Sequence, residues 1–117
     1  MAQTTGLTVC ISDRDQVIAV AGGSKKELLQ KTISKQLENV INERTVVVAG
    51  KEDKNFTPLT GEVLEAVTAE VIAPIICEGD AIGSVVLLSR EPRARFGEME
   101  TKLATTAAGF LGRQMEG

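Results

Sequence analysis

Residues 68–89, TAEVIAPIICEGDAIGSVVLLS, decide the fold of this chain. Two apolar runs, residues 68–77 and 82–89, flank the short connection Glu78-Gly79-Asp80. Runs of this length that are rich in Val and Ile are typical of strands, and a short turn containing glycine joins them into a hairpin. Pro74 predicts an edge position, a bulge or a gap in the ladder, because proline has no N–H to donate.

The second of these runs is apolar on both faces. Val86 and Leu88 share one face with Ser84, whereas Val85 and Leu87 form the other. A sheet that is apolar on both faces is covered on both sides. The chain therefore needs a helical layer on each face of its sheet.

Two helical patterns can supply these layers. The first predicts an inserted segment that runs to about residue 43, with Ser34 as a candidate N-cap, and a capping box at 24–27 predicts a short helix over 25–31 in front of it. The second, at residues 97–115, is the clearest helix of the chain. The insert is indicated by apolar residues at helical spacing, Ile33, Leu37, Val40 and Ile41.

The remaining segments complete an α+β domain. Alternating residues 7–12 and the run 17–21 predict a first hairpin, 45–49 predicts a further strand, and 62–67 predicts a helical turn. We expect one domain over residues 1–117, with a central antiparallel sheet of about five to six strands. The helical insert would cover one face of this sheet and the C-terminal helix the other.

The composition excludes several classes of function. The 117 residues include no His, Trp or Tyr, so histidine-dependent catalytic sets and imidazole metal sites cannot form within the chain. Three Phe residues cannot build a base-stacking platform, and 13 basic against 16 acidic residues give no basic excess for nucleic acid. We predict no catalytic residues, no metal site, no cofactor and no direct DNA binding by this chain alone.

Cys10 and Cys77 both lie inside apolar runs. Two cysteines are too few for a disulfide framework, and small buried hydrophobic residues are the favoured interpretation over a redox switch. The N-terminus lacks the features of a signal peptide, and no apolar run reaches the ~20 residues of a membrane span. We expect the protein to be located in the cytoplasm and not to associate with a membrane.

The C-terminal helix carries an apolar arc of roughly 180° at about 100° per residue. A helix that packs on one sheet needs an arc of only about 100°. The width predicts contact with the sheet and with a second helix, most simply that of a second copy, and the alternative is a helix packed deeply into its own fold. The predicted homodimer interface consists of Leu103, Ala104, Ala107, Ala108, Phe110 and Leu111.

A small-molecule pocket can form between the sheet and the inserted helical segment. Its predicted polar, ligand-binding side chains are Cys10, Ser12 and Ser84. With an otherwise aliphatic lining, such a pocket would take a small, apolar or weakly polar effector. The alternative is a filled core whose small polar residues are satisfied locally.

Several stretches resemble one known family. The chain is similar to the GAF-type C-terminal domain of the stage V sporulation protein T family of transcription regulators, over nearly its whole length except residues 55–67. The resemblance rests on residues 9–15 (VCISDRD), 18–22 (IAVAG), 24–26 (SKK), 74–76 (PII), 79–86 (GDAIGSVV) and 106–116 (TAAGFLGRQME).

This resemblance implies a sheet with a ligand side and a helical oligomerisation side, and a role in regulating forespore genes under an unknown small-molecule effector. Nothing in the chain corresponds to the basic N-terminal DNA-binding domain of the family or to the helix that precedes its first strand. We therefore expect an excised sensor domain or a truncated relative. The missing helix is a second explanation of the wide apolar arc.

Three functions follow from these observations. The first is an effector-sensing and dimerisation domain of a sporulation transcription regulator, and the second is a structural dimerisation module without a ligand. The third, a GAF-fold sulfoxide reductase with a cysteine pair, ranks last because Cys10 and Cys77 lie in strand interiors without a reactive context.

Overall fold

The hairpin predicted from residues 68–89 forms in a computed structural model, which describes residues 7–22, 29–60, 67–91 and 96–114. The predicted short helix at 25–31 and helical turn at 62–67 lie mostly outside these residues. The described elements are β1 (Leu7–Ser12), β2 (Val17–Ala21), α1 (Lys35–Glu43), β3 (Val47–Gly50), β4 (Ala69–Cys77), β5 (Asp80–Ser89) and α2 (Glu98–Gln114).

The five described strands form one antiparallel sheet in the order β2-β1-β5-β4-β3. This arrangement confirms the predicted α+β class. The third strand begins at Val47, two residues later than predicted. The delay arises because Arg44 adopts a left-handed conformation at the end of α1 and Thr45 still donates its N–H to the Val40 carbonyl.

Pro74 occupies a local edge of the sheet. β3 pairs only with residues 69–72 of β4, so Pro74 lies beyond that ladder and has β5 as its strand partner. A bulge follows between Ile75 and Ile76. The missing proline N–H therefore costs no ladder hydrogen bond on the β3 side, as the sequence predicted.

Ser34 is the N-cap of α1, as predicted. Its hydroxyl accepts from the Leu37 N–H at 3.0 Å and donates to the Pro58 carbonyl at 2.5 Å. Leu37 and Ile41 are fully buried against the sheet. The cap thus fixes both the start of the helix and the loop that follows β3.

Each face of the sheet has its own core, which confirms the expectation of a covering layer on both sides. The core on the α1 side includes Cys10, Leu37, Ile41, Leu59, Ile72, Val86 and Leu88. The core on the α2 side includes Val71, Ala73, Ile75, Val85, Leu87, Ala104 and Ala108. Within the described part of the chain, no helix is long and apolar enough to cross a membrane.

Candidate functional site

Ser12 and Ser84 meet on the α1 side of the sheet. They are opposite each other in the β1–β5 ladder, and their Oγ atoms lie 2.6 Å apart, fully buried. Each hydroxyl therefore has the other as a hydrogen-bond partner. Sequence reasoning placed both residues in one pocket, and the structure brings them together as a satisfied pair.

Cys10 lies on the same face as this pair, two residues back along β1 and between Val20 and Val86. Its side chain is 0% exposed. Burial raises the pKa of the Cys10 thiol to about 12, and the positive charge of Arg90 opposes this only in part. Cys10 is therefore a neutral hydrophobic group at physiological pH.

Cys77 is remote from Cys10. Cys77 pairs with Asp80 of β5, whereas Cys10 pairs with Val86 of the same strand, six residues further along. At about 3.4 Å per residue, this offset is about 20 Å. A disulfide needs Cα atoms within about 7 Å, and neither cysteine forms one. The two thiols cannot act as a pair without unfolding of the sheet.

The native chain is expected to react with a thiol reagent at Cys77 well before Cys10. Cys77 is half-buried, whereas Cys10 is sealed and protonated, and only the thiolate reacts. Alkylation with iodoacetamide at pH 8, followed by peptide mass spectrometry, measures both rates. Cys10 should be modified at the rate of Cys77 only in denaturant, and equal rates in buffer would contradict its burial.

Glu70 is the functional candidate that sequence reasoning missed. It lies on the α1 side of β4, between Ala49 of β3 and Leu88 of β5, and is 1% exposed. Its Oε2 accepts from the Thr57 N–H at 2.6 Å, and its Oε1 has no partner in the described part of the chain. The sequence did contain a signal for this site: Glu70 is an acidic residue inside the apolar run AEVIA, and it shares a strand face with Ile72.

Burial raises the pKa of the Glu70 carboxyl from 4.5 to about 7, and the hydrogen bond from Thr57 lowers it by less. A carboxylate in an apolar layer is costly unless it is paired. None of the three residues that flank it, Ala49, Leu88 and Thr57, carries a charge. Glu70 thus changes its protonation state near neutral pH.

The loop after β3 folds over Glu70. Asp53 accepts from the Gly50 N–H at 2.7 Å and donates its own N–H to the Gly50 carbonyl at 3.0 Å. Phe56 donates to the Asp53 carbonyl and packs, half-buried, against the α1-side core. This turn brings the Thr57 amide onto the carboxyl group.

Glu70 and the serine pair occupy separate positions on this face. Ser84 is opposite Pro74, four residues from Glu70 along β4, which is about 13 Å. Among the described residues, no group of three or more His, Cys, Asp or Glu side chains could hold a metal ion. Among the described residues, this face therefore presents one carboxyl oxygen without a hydrogen-bond partner, in a mostly apolar layer.

The apolar arc of α2 is divided between two environments. Ala104, Ala108 and Gly112 are buried on the sheet, while Ala107 and Leu111 are half-buried. On a helical wheel the opposite side carries the exposed apolar stripe, which we define as Met99 (79% exposed), Leu103 (54%) and Phe110 (61%).

Burial of part of α2 on its own sheet reduces the set of residues that can form the predicted homodimer interface. The chain's own sheet covers Ala104 and Ala108, which corrects their assignment to a contact with a partner. Leu103 and Phe110 stay exposed, and Met99 joins them at the first turn of the helix.

The fold is that of GAF domains. The nlh2 GAF domain of A. aeolicus is similar with a TM-score of 0.65, at 16% identity, over 93% of this chain and 73% of that one. The GAF domain of an Acinetobacter phosphoenolpyruvate-protein phosphotransferase is similar with a TM-score of 0.66, at 17% identity, over 91% and 69%. A type II free methionine-R-sulfoxide reductase from Thermoplasma acidophilum has a TM-score of 0.67, at 14% identity, over 91% and 76%.

The chain belongs to the family of stage V sporulation protein T C-terminal domains, a transcription-factor family whose model matches residues 1–116. It is 42% identical over 111 residues to stage V sporulation protein T of Bacillus subtilis (strain 168). The match covers 95% of this chain and 60% of that relative, so the chain spans about three-fifths of the relative's length. The likeness to the sulfoxide reductase, at low identity, concerns the fold alone.

Proposed function

We propose that this chain is the oligomerisation and effector-sensing domain of a transcription factor that controls gene expression in the forespore. The proposal places it in the cytoplasm and assigns it no catalysis. The observation that carries the proposal is the two-sided use of α2, which packs its small residues on the sheet and exposes the apolar stripe to solvent.

Oligomerisation is supported by the size and arrangement of the stripe. Met99, Leu103 and Phe110 recur on one side of the helix, and burying each large apolar side chain contributes about 1.5–3 kcal/mol. A second copy that packs the same helix antiparallel or parallel would bury both stripes symmetrically. The paired α2 helices would then lie between the two sheets of the dimer.

Effector sensing is supported by the position of β4 and β5. These two strands contact α1 on one face of the sheet and α2 on the other. A ligand that changes the packing of α1 on the sheet would therefore act on the same two strands that support α2, the helix of the proposed dimer interface. The effector side and the dimer helix contact the same two strands, so the coupling between them does not need a longer pathway through the molecule.

The dimer is tested by replacing Leu103 and Phe110 together with Ser. Light scattering of the wild-type chain at about 100 μM is expected to give twice the mass of the chain, and the double variant is expected to be monomeric with unchanged circular dichroism. The matched control replaces exposed Glu98 and Lys102 with Ser, which keeps the net charge, and should stay dimeric. A monomeric wild type, or a dimeric double variant, would refute the assigned interface.

A further inference from the structure

The carboxyl group of Glu70 is the least satisfied polar group of the described chain. Its Oε1 is the buried side-chain atom without a hydrogen-bond partner among the described residues. Buried polar atoms are almost always paired, and an exception calls for an explanation. Two other polar side chains on this face, Ser12 and Ser84, satisfy each other and offer no comparable vacancy.

The structure holds this carboxyl group in place rather than leaving it adaptable. One oxygen is bound by the Thr57 amide at 2.6 Å, and both neighbouring strands fix the backbone of Glu70 in the sheet. The second oxygen is consequently fixed in direction. In its ionised form this group accepts only, is fixed, and has aliphatic strand neighbours, so it favours a ligand with a donor and an apolar body.

We propose that Glu70 Oε1 is the recognition group of the effector site and that its ligand is a small organic amine with an aliphatic body. This proposal rests on the effector-sensing function proposed above and names the class of its ligand. An ammonium group supplies both the missing N–H donor and the missing positive charge. A neutral alcohol would supply the donor alone and leave the buried charge uncompensated.

A metal ion fits this position less well than an amine. A metal would need several oxygen, nitrogen or sulfur ligands, and the described residues contain no such cluster. A single carboxylate oxygen is sufficient for one charge-assisted hydrogen bond to an ammonium group. The flanking Ala49 and Leu88 would contact the aliphatic body of the ligand.

Binding of the amine is coupled to the loss of a proton. The carboxyl group holds a proton below about pH 7, and an incoming ammonium displaces it, so up to one proton is released to solvent per amine bound below that pH and none well above it. Affinity should therefore rise between pH 6 and pH 8. Thr57, Ala49 and Leu88, which face the carboxyl group from the loop, β3 and β5, do not titrate in this range.

The test compares n-butylamine, n-butanol and butyrate as probes on the full 117-residue chain at pH 7.5, with binding followed by NMR. The expected result is binding of n-butylamine that is at least about tenfold tighter than binding of either other probe. The variant Glu70→Gln keeps an acceptor for Thr57. Its affinity for n-butylamine should be lower by about tenfold or more, the usual effect of losing a hydrogen bond to a charged group. Exposed Glu91→Gln is the matched control and should bind as the wild type does.

The remaining outcomes overturn the inference in distinguishable ways. Equal binding of n-butylamine by the wild type and Glu70→Gln, or preference for n-butanol or butyrate, would leave an effector site but remove Glu70 as its recognition group. Tighter binding at pH 6 than at pH 8 would show that Glu70 donates rather than accepts. Binding of none of the three probes would refute the amine class, while light scattering decides the dimer separately. Should Glu70→Gln fail to fold, the carboxyl ¹³C shift of Glu70 in the wild type must respond to n-butylamine.

Discussion

Replacing Gly112 with alanine is expected to destabilise the chain by about 2–3 kcal/mol, the usual cost of forcing extra atoms into a packed contact. Gly112 is buried where α2 crosses the end of β4, and a Cβ atom there would overlap the carbonyl oxygen of Ile76. That oxygen belongs to the backbone and cannot rotate away. The helix must therefore move off the sheet or lose its last turn.

Gly109 provides the matched control three residues earlier in the same helix. A Cβ atom at Gly109 meets nothing within 4 Å, so Gly109→Ala should stabilise the chain by about 0.5–1 kcal/mol through helix propensity. Urea unfolding followed by circular dichroism measures both variants. Equal effects of the two substitutions would show that α2 does not approach β4 as closely as the structure places it.

The stability of the wild-type chain is expected to fall by about 3 kcal/mol between pH 4.5 and pH 7 through Glu70 alone. The pKa of Glu70 is raised by burial from 4.5 to about 7, so the folded state keeps a proton that the unfolded state has already released. This contribution is fully present below pH 4.5, decreases as pH rises, and is absent above about pH 7. Glu70→Gln should remove the slope and be the more stable variant at pH 8.

The measurement is the free energy of unfolding in urea at pH 5, 6, 7 and 8 for the wild type, Glu70→Gln and the exposed control Glu91→Gln. The hydrogen bond from the Gly97 N–H lowers the pKa of Glu100 and acts in the opposite direction, but it is common to all three proteins and cancels in the comparison. A wild type and Glu70→Gln with the same pH profile would show that the carboxyl group is not buried in the folded chain.

The candidate site was only partly predictable. The phase of Cys10, Ser12 and Ser84 within their strands placed them on one face, because alternate residues of a strand always share a face. The hydrogen bond between the two serines depends on the register of β1 against β5, which the sequence does not state. The sequence analysis did not identify Glu70 as a site residue, because its hydrogen-bond partner Thr57 lies in a loop whose path depends on β3 and Asp53.

The amino-acid sequence alone was enough to predict the two hairpins, the cap at Ser34, the long C-terminal helix and the need for a layer on each face of the sheet. These features follow from periodicity and turn chemistry among neighbouring residues, which act over a few positions of the chain. Strand order and the contact of Gly112 with Ile76 were decided only by the tertiary structure. The packing of the layers divided the apolar arc of α2 into a buried and an exposed half, and it buried one carboxyl oxygen without a partner among the described residues. Such outcomes depend on which distant segments meet, because burial belongs to the packed layers rather than to any single segment.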